Sequence, residues 1–160
     1  MTNKKIGIKI FKYVVVVLIL AYTIALLIMT GGSNKPFKEV TKGVESVVDQ
    51  EKLNKVETQS LKRYYGLNGS DYDGVTLYIS TTSMSAEELL LIKAKSEEQV
   101  AAIRDAIEER RDTRRQDFEG YAPDEVDLID SSILQVRGKY VFFVVSKEAA
   151  KYKEAFTSSL

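Results

Sequence analysis

The sequence predicts an α+β fold, with an amino-terminal transmembrane helix followed by a two-layer domain whose helices pack on a four-stranded, mostly antiparallel sheet. Three observations predict this fold. A charge-free apolar run fills residues 13–29, two pairs of strand-like segments have the spacing of hairpins, and the segments around them repeat apolar residues at helical spacing. At 160 residues, the chain is long enough for one core and an appendage.

The apolar run is the first element, and it reads YVVVVLILAYTIALLIM. Its seventeen residues would span about 25 Å as a helix, just enough to cross the hydrocarbon core of a bilayer. Four lysines precede the run and two closely follow it, which favours an amino terminus on the inner side of the membrane.

These features predict how the chain is divided. The predicted parts are a basic cytoplasmic tail (1–12), a transmembrane signal-anchor helix (13–29), a tether (30–35) and an extracytoplasmic α+β domain (36–160). The predicted location is the cell membrane, with a single pass that makes the bilayer a partner through residues 13–29. The alternative is a signal peptide that is cleaved before Ser33, which would release a secreted domain.

Two helices are predicted at the start of the domain. After Pro36, which suits a first helical turn, apolar residues recur at helical spacing, namely Phe37, Val40, Val44, Val47 and Val48. A second, short helix is predicted over residues 58–65, because Gly66 has the position of a left-handed residue that closes a helix.

A first hairpin and a long helix follow. Apolar and polar residues alternate over residues 75–80, which predicts a half-buried strand, and residues 88–95 predict its partner after a connection of several residues. Ser96 and Gln99 form a capping-box pattern that opens the long helix. Its apolar stripe consists of Val100, Ile103, Ile107 and Phe118.

The carboxyl-terminal third predicts a second hairpin between two helices. Gly120 ends the long helix and Pro123 begins a short one. The run ILQVRGKYVFFVVS then predicts two strands that turn at residues 137–139. Residues 141–145 are apolar on both faces, which is typical of a central strand, and Ser146 caps a final helix that ends at Phe156.

Composition excludes several kinds of chemistry. The chain contains no cysteine and no histidine, so disulfides, thiol nucleophiles, the usual structural zinc ligands and the usual neutral-pH proton carrier are absent. The part that follows the apolar run carries 19 basic and 23 acidic residues, because four of the 23 basic residues precede that run. We therefore expect no nucleic-acid partner, and no motif indicates a cofactor.

Four segments carry a resemblance to a known family: Tyr65-Gly66, Glu87-Glu88, the FEGYAP run from Phe118 to Pro123, and Gly138-Lys139-Tyr140. With their surroundings they resemble the domain-of-unknown-function family 4358 of bacterial, largely clostridial, proteins over most of residues 40–156. The resemblance implies an extracytoplasmic domain and no particular activity. Members often carry a lipidated cysteine, which this chain lacks.

The stretch NGSDYDG (68–74) has two interpretations. Aligned with a calcium loop through Gly74, it places Asp71 and Asp73 in ligand positions, but Gly69 occupies the first ligand position and Ser80 the last. Two ligands do not make a calcium site. The other interpretation is a turn between a helix and a strand, which accounts for every residue and predicts no metal.

Arginines on the long helix are the candidate contacts for an anion. Arg110 and Arg114 fall on the apolar stripe beside Ile107 and Phe118. One interpretation is that their stems overhang the sheet while nearby carboxylates neutralise their charge. The other is a buried arginine in an anionic pocket.

The predicted function is a non-catalytic binding module of the bacterial cell envelope, whose partner is an unknown envelope protein or a small ligand. Tyr78 and Tyr140 mark the expected contact surface on an exposed face of the sheet. No sequence motif of a nucleophilic enzyme is present. The alternatives are an envelope hydrolase that uses acidic pairs such as Glu87/Glu88 or Asp124/Glu125, and a structural spacer.

Overall fold

A computed structural model describes residues 12–24 and 35–160, which divide into an amino-terminal unit and a larger unit from residue 32 onward. In the first unit, residues 12–24 form helix α1. Within the described part of the chain, no helix is long and apolar enough to cross a membrane. The prediction of a transmembrane helix over residues 13–29 is therefore wrong. Residues 25–29 of that segment lie outside the described residues.

The larger unit is α+β, and its sheet has five strands rather than the predicted four. The strands are β1 (Leu53–Val56), β2 (Gly74–Ser80), β3 (Glu88–Lys93), β4 (Ile133–Arg137) and β5 (Tyr140–Val145). The helices are α2 (Phe37–Glu45), α3 (Ser60–Tyr65), α4 (Glu97–Phe118), α5 (Pro123–Asp130) and α6 (Ala149–Ser159). All neighbouring strands are antiparallel, in the order β1-β2-β3-β5-β4. The two predicted hairpins, β2–β3 and β4–β5, are confirmed.

The strand that sequence reasoning missed is β1, at one edge of the sheet. It contains four residues, of which Leu53 is buried while Asn54 and Lys55 are exposed. It pairs with β2 from Leu53 opposite Ser80 to Val56 opposite Leu77. A strand this short, with a lysine at its solvent side, is typical of a protected sheet edge and carries little periodic signal.

Helices cover both faces of the sheet, so the unit has three layers rather than the predicted two. We call the side covered by α3, α4 and α5 the α4 face; its strand residues are Leu77, Leu90, Ile92, Val141, Phe143 and Val145. We call the side covered by α2 and α6 the α6 face; its strand residues are Leu53, Tyr78, Leu89, Leu91, Tyr140, Phe142 and Val144. Because β3 and β5 are buried along both faces, the sheet needs a helical layer on each side.

The expectation of an exposed sheet face with Tyr78 and Tyr140 is wrong. Tyr78 is 4% exposed and Tyr140 is 0% exposed, because α2 and α6 pack over them. The Tyr78 hydroxyl donates to Glu45 Oε1 at 3.1 Å, and the Tyr140 hydroxyl donates to the Lys35 carbonyl at 2.7 Å. Both tyrosines therefore stabilise the interior and leave no aromatic contact surface there.

The helix boundaries follow several of the predicted signals. Gly66 closes α3 at φ 70°, a left-handed conformation that favours glycine. Ser96 caps α4, since its hydroxyl accepts the Gln99 N–H. Gly66 ends α3 before the β2–β3 hairpin, and Ser96 begins α4 after it. These two residues therefore fix where the two helices of the candidate site end and begin.

Candidate functional site

A buried ion pair lies between the sheet and α4. Glu88 is the first residue of β3 and has the same side-chain direction as Leu90, toward the α4 face. Arg110 follows Ile107 on the buried stripe of α4. The Arg110 Nη2 and Nε atoms donate to Glu88 Oε2 at 2.9 and 3.2 Å. The two side chains are 15% and 3% exposed.

The ion pair keeps Arg110 charged despite its burial. Burial by itself lowers the pKa of Arg110, but the Glu88 carboxylate outweighs this effect and the net shift of that pKa is upward. Withdrawing two charges from water costs free energy that even a well-aligned pair offsets only in part. An apolar pair would fill this position of the α4 face with less desolvation, so stability alone does not account for Glu88 and Arg110.

Two tyrosines of α3 enclose the guanidinium. The Arg110 Cζ atom lies 5.3 Å from the Tyr64 ring centre and 5.7 Å from the Tyr65 ring centre. The Arg63 Cζ atom lies 5.6 Å from the Tyr64 ring centre. A cation at these distances is attracted to the face of an aromatic ring. The ring contacts and the carboxylate together fix the orientation of Arg110 before any ligand arrives.

The Tyr65 hydroxyl is buried without a hydrogen-bond partner. The side chain is 6% exposed, and its oxygen makes no hydrogen bond of good geometry to any residue that the structure describes. Burial, and next the charge of Glu88, raise the pKa of Tyr65 well above its ordinary value. The hydroxyl therefore stays protonated, and such a buried group costs free energy unless it finds an acceptor.

The side chains of Tyr64, Tyr65 and Arg110 line a cleft between α3 and α4 with a volume of about 230 Å³. The residues that line the cleft are Arg63, Tyr64, Tyr65, Gly66, Ala106, Glu109, Arg110 and Thr113. Clefts for drug-sized ligands occupy about 300–1,000 Å³. The space suits a smaller molecule.

Several polar groups of the cleft have no protein partner. Arg110 uses Nε and Nη2 on Glu88, while its Nη1 atom donates no hydrogen bond within the described residues. At the rim, the exposed side chains of Arg63 and Glu109 form no ion pair with any described residue. The cleft thus offers fixed donors inside and one group of each charge outside, an arrangement suited to binding.

The structure separates the two arginines that the sequence placed together. Arg110 lines the cleft, whereas Arg114 does not. The Arg114 Cζ atom lies 4.5 Å from the Phe118 ring centre, and its nitrogens donate to the Ser85 carbonyl at 3.2 Å and to Asp117 at 3.3 Å. Arg114 therefore fits the first interpretation, in which nearby carboxylates neutralise an overhanging arginine. Arg110 fits the second, in which the arginine is buried beside an anionic group.

The carboxylates of the pairs Glu87/Glu88 and Asp124/Glu125 do not meet at a common site. Glu88 binds Arg110, while Glu87 Oε1 accepts the Ser146 hydroxyl at 2.9 Å. The Glu125 carboxylate accepts the Ala86 N–H at 2.6 Å, and Asp124 is exposed. Each carboxylate of the two pairs thus lies in separate surroundings.

The stretch NGSDYDG has the turn geometry that the sequence indicates. Residues Gly69–Asp71 form a 3₁₀ helix, and the Asn68 side chain caps it and donates to Asp71 Oδ1 at 3.1 Å. At Gly74, an added Cβ would lie 2.2 Å from the Phe37 ring, so close packing requires glycine there. In the part of the chain that the structure describes, no group of three or more potential ligands could hold a metal ion.

Sequence reasoning missed most of the cleft. It singled out Arg110, but it treated Glu88 as half of an acidic pair and gave Tyr64, Tyr65 and Glu109 no role in a site. A usable signal was present: one acid opens an apolar strand, and one arginine interrupts an apolar helix stripe. Opposite charges on two apolar surfaces indicate that these surfaces meet.

Comparison with known proteins gives one match. The family model described as "Domain of unknown function (DUF4358)" matches residues 46–146, which include every residue of the cleft. The resemblance found in the sequence is thereby confirmed. No curated protein and no solved structure matches the chain.

Proposed function

The chain belongs to the DUF4358 family of domains of unknown function, and from this premise we propose that it is a non-catalytic, extracytoplasmic module that binds a small ligand in the cleft between α3 and α4. The cleft lies within the family-matched residues. Ligand binding rather than turnover is the activity that its donors, rings and fixed charges suit.

The observation that carries this proposal is the buried Tyr65 hydroxyl beside the Glu88–Arg110 pair. All three groups are costly to bury; Tyr65 and Arg110 line one cleft, and Glu88 binds Arg110. Costly polar groups that converge on a cavity are the usual mark of a binding site. A ligand that accepts from Arg110 would offset part of the cost.

Export is supported by the amino-terminal sequence. Four lysines followed by a charge-free apolar run are typical of a segment that directs a chain across the membrane. We expect a carboxyl-terminal tag to be digested when protease is added to intact protoplasts. A tag that is degraded only after lysis would contradict the extracytoplasmic location.

The binding function is tested by calorimetric melting of the full-length chain with a defined panel of small acids, bases, zwitterions and neutral compounds. At least one compound should raise the melting temperature, because ligand that binds the folded state stabilises it. NMR of the recovered compound should show it unchanged. Melting shifts from no compound, or chemical conversion of the one that binds, would overturn the proposal.

A matched pair of variants localises the binding. Arg63→Gln removes a cation that lines the cleft, whereas Arg104→Gln makes the same change at an exposed position of α4 that does not line it. The melting shift should shrink in Arg63→Gln and persist in Arg104→Gln. Equal shifts in the two variants would place the ligand elsewhere.

A further inference from the structure

We propose that the edge strand β4 is a dimerisation surface, on which the β4 strand of a second copy of this chain pairs antiparallel and extends the sheet. This inference goes beyond the binding function of the cleft and does not depend on it. It stands on the outward backbone groups of β4, on the order of its side chains and on the charges at its two ends.

The two edges of the sheet are protected to different degrees. Strand β1 has four residues, and its Asn54 and Lys55 side chains are exposed and polar. Strand β4 has five residues, ILQVR, all of them partly exposed, and the first four carry no charge. A lysine on a short edge strand discourages pairing with another chain, whereas a longer apolar edge invites it. The β4 edge is therefore the one suited to a partner strand.

The outward backbone groups of β4 belong to Leu134 and Val136. Arg137 and Tyr140 flank the two-residue turn of the hairpin, so they form a hydrogen-bonded pair of the ladder. Such pairs alternate along an antiparallel ladder, so Gln135 also faces β5 with its peptide groups. The N–H and C=O groups of Leu134 and Val136 point away from β5, and they form no hydrogen bond outside the ladder with any described residue.

A two-fold axis at Gln135 would satisfy these outward groups. It places Leu134 of each copy opposite Val136 of the other, and the two residues of each such pair exchange N–H···O bonds. The side chains of Leu134 and Val136 lie on the α4 face, because they pair with Phe143 and Val141 of β5. They therefore form apolar cross-strand pairs in the dimer, which stabilise a sheet.

Gln135 of one copy then lies directly opposite Gln135 of the other. This is a non-hydrogen-bonded position of the new ladder, in which Cα atoms are about 4.5 Å apart and side chains are closest. Two like charges directly opposite each other would destabilise the pairing, whereas two neutral amides do not. The strand is thus compatible with its own copy at the residue where the contact is most demanding.

The charges at the two ends of β4 are complementary in this arrangement. The strand ends in Arg137, and the exposed Lys139 follows in the turn. The start of β4 borders a groove whose charged residues are Asp124, Asp127 and Lys147, so the groove is acidic on balance. Because the two strands run antiparallel, the basic end of each copy lies beside the acidic groove of the other. Complementary charges of this kind select the antiparallel orientation.

The first test uses cysteine, which the chain lacks. Gln135→Cys places two thiols across the axis at a Cα separation of about 4.5 Å, which suits a disulfide. Oxidised glutathione oxidises the two thiols and is itself reduced to two molecules of glutathione. A disulfide-linked dimer of the full-length variant should become the main species on a non-reducing gel. The matched control, Asn54→Cys on the exposed part of β1, should stay monomeric on that gel.

A charge exchange tests the same contact without a covalent bond. Gln135→Lys and Gln135→Glu each place like charges at the axis, so each should weaken dimerisation at least about tenfold. Sedimentation of the full-length chain in neutral detergent measures this loss. A mixture of the two variants brings opposite charges together and should restore the dimer. Asn54→Lys and Asn54→Glu make the same changes on β1 and should leave the dimer unchanged.

Several outcomes would overturn the proposal. One is a wild-type chain that sediments as a monomer at the highest concentration measured. Another is a dimer that the Asn54 variants abolish, or that no Gln135 variant alters, since the contact would then lie on another surface. Urea unfolding of each variant separates a lost dimer from a lost fold. If a charged variant does not fold, Gln135→Cys decides, because it adds no charge and a monomer after oxidation contradicts the pairing.

Discussion

The two faces of the sheet are built from different chemistry. The α6 face is closed by aromatic packing, in which Phe142 and Phe156 stack with ring centres 4.8 Å apart and Tyr140 lies edge-on to Phe156. The α4 face contains a buried ion pair and a hydroxyl with no partner among the described residues. Strands β3 and β5 contribute to both faces.

The difference in chemistry between the two faces indicates which face contains groups that serve binding rather than stability. Aromatic packing stabilises a fold efficiently, because each ring removes a large apolar area from water. A buried ion pair is weak evidence for stability, since apolar residues of similar volume often stabilise as well or better. The α4 face thus retains a buried ion pair that the aromatic packing of the α6 face does without, and Arg110 of that pair lines a cleft.

The largest expected effect comes from breaking the ion pair. Arg110→Met leaves Glu88 buried without a partner and should lower the free energy of unfolding by about 3–5 kcal/mol. The double variant Glu88→Leu/Arg110→Met should recover most of that loss, because no charge remains buried. Urea unfolding measures both, and a double variant as unstable as the single one would show that the pair holds the α4 face together.

An equally large loss of stability is expected for a single substitution on the α6 face, where no buried charge is involved and no second substitution would restore it. Phe156→Ala removes a fully buried ring and should cost about 3–5 kcal/mol in urea unfolding. Phe156→Leu, which keeps most of the volume, is the matched control and should cost less. Similar losses for alanine and leucine would contradict the account of this face as one held by close packing.

Tyr140 on the α6 face predicts a loss of stability in alkali. Burial, and next the charges of Asp73 and Glu39, raise the pKa of Tyr140 to about 12. Since its unfolded value is about 10, the unfolded chain loses this proton first. The Tyr140 contribution is complete below about pH 10 and disappears as pH rises toward about 12.

Replacing the hydroxyl tests that assignment. Tyr140→Phe also loses the bond to the Lys35 carbonyl, so it should be less stable at neutral pH by about 0.5–1.5 kcal/mol. Its stability should then fall less steeply than that of the wild type over the alkaline range. Parallel curves from urea titrations at stepped pH would show that Tyr140 does not titrate there.

The smallest effects are expected at the rim of the cleft. Arg63→Gln and Glu109→Gln change exposed side chains that form no ion pair with described residues, so each should alter the free energy of unfolding by less than about 0.5 kcal/mol. Binding should nevertheless weaken. A large stability change would mean that these charges serve the fold rather than a ligand.

The sequence predicted the interior of the fold better than its edges and layers. Both hairpins, the capped helix α4 and the turn at Gly66 followed from local signals. Strand β1 did not, because LNKV has one buried residue and its pairing with β2 is set by tertiary contact. The alternation in β2 indicated a solvent face, yet Thr76 and Tyr78 are buried because α2 and α6 cover them.

The candidate site was predictable in part. Arg110 was identified because an arginine on an apolar stripe is unusual, but its partner lies 22 residues earlier, on another element. The Tyr65 hydroxyl gave no signal, because whether a tyrosine hydroxyl finds a partner depends on packing that no local pattern encodes. Side-chain convergence across α3, β3 and α4 is a property of the folded chain.

The most direct test of the account is to measure binding and stability on the Glu88→Leu/Arg110→Met double variant, with the panel compound that the wild type binds most tightly. We predict a free energy of unfolding within about 1 kcal/mol of the wild type, or higher, together with an affinity at least about tenfold lower. An unchanged affinity in a stable double variant would contradict the claim that this buried pair serves the cleft.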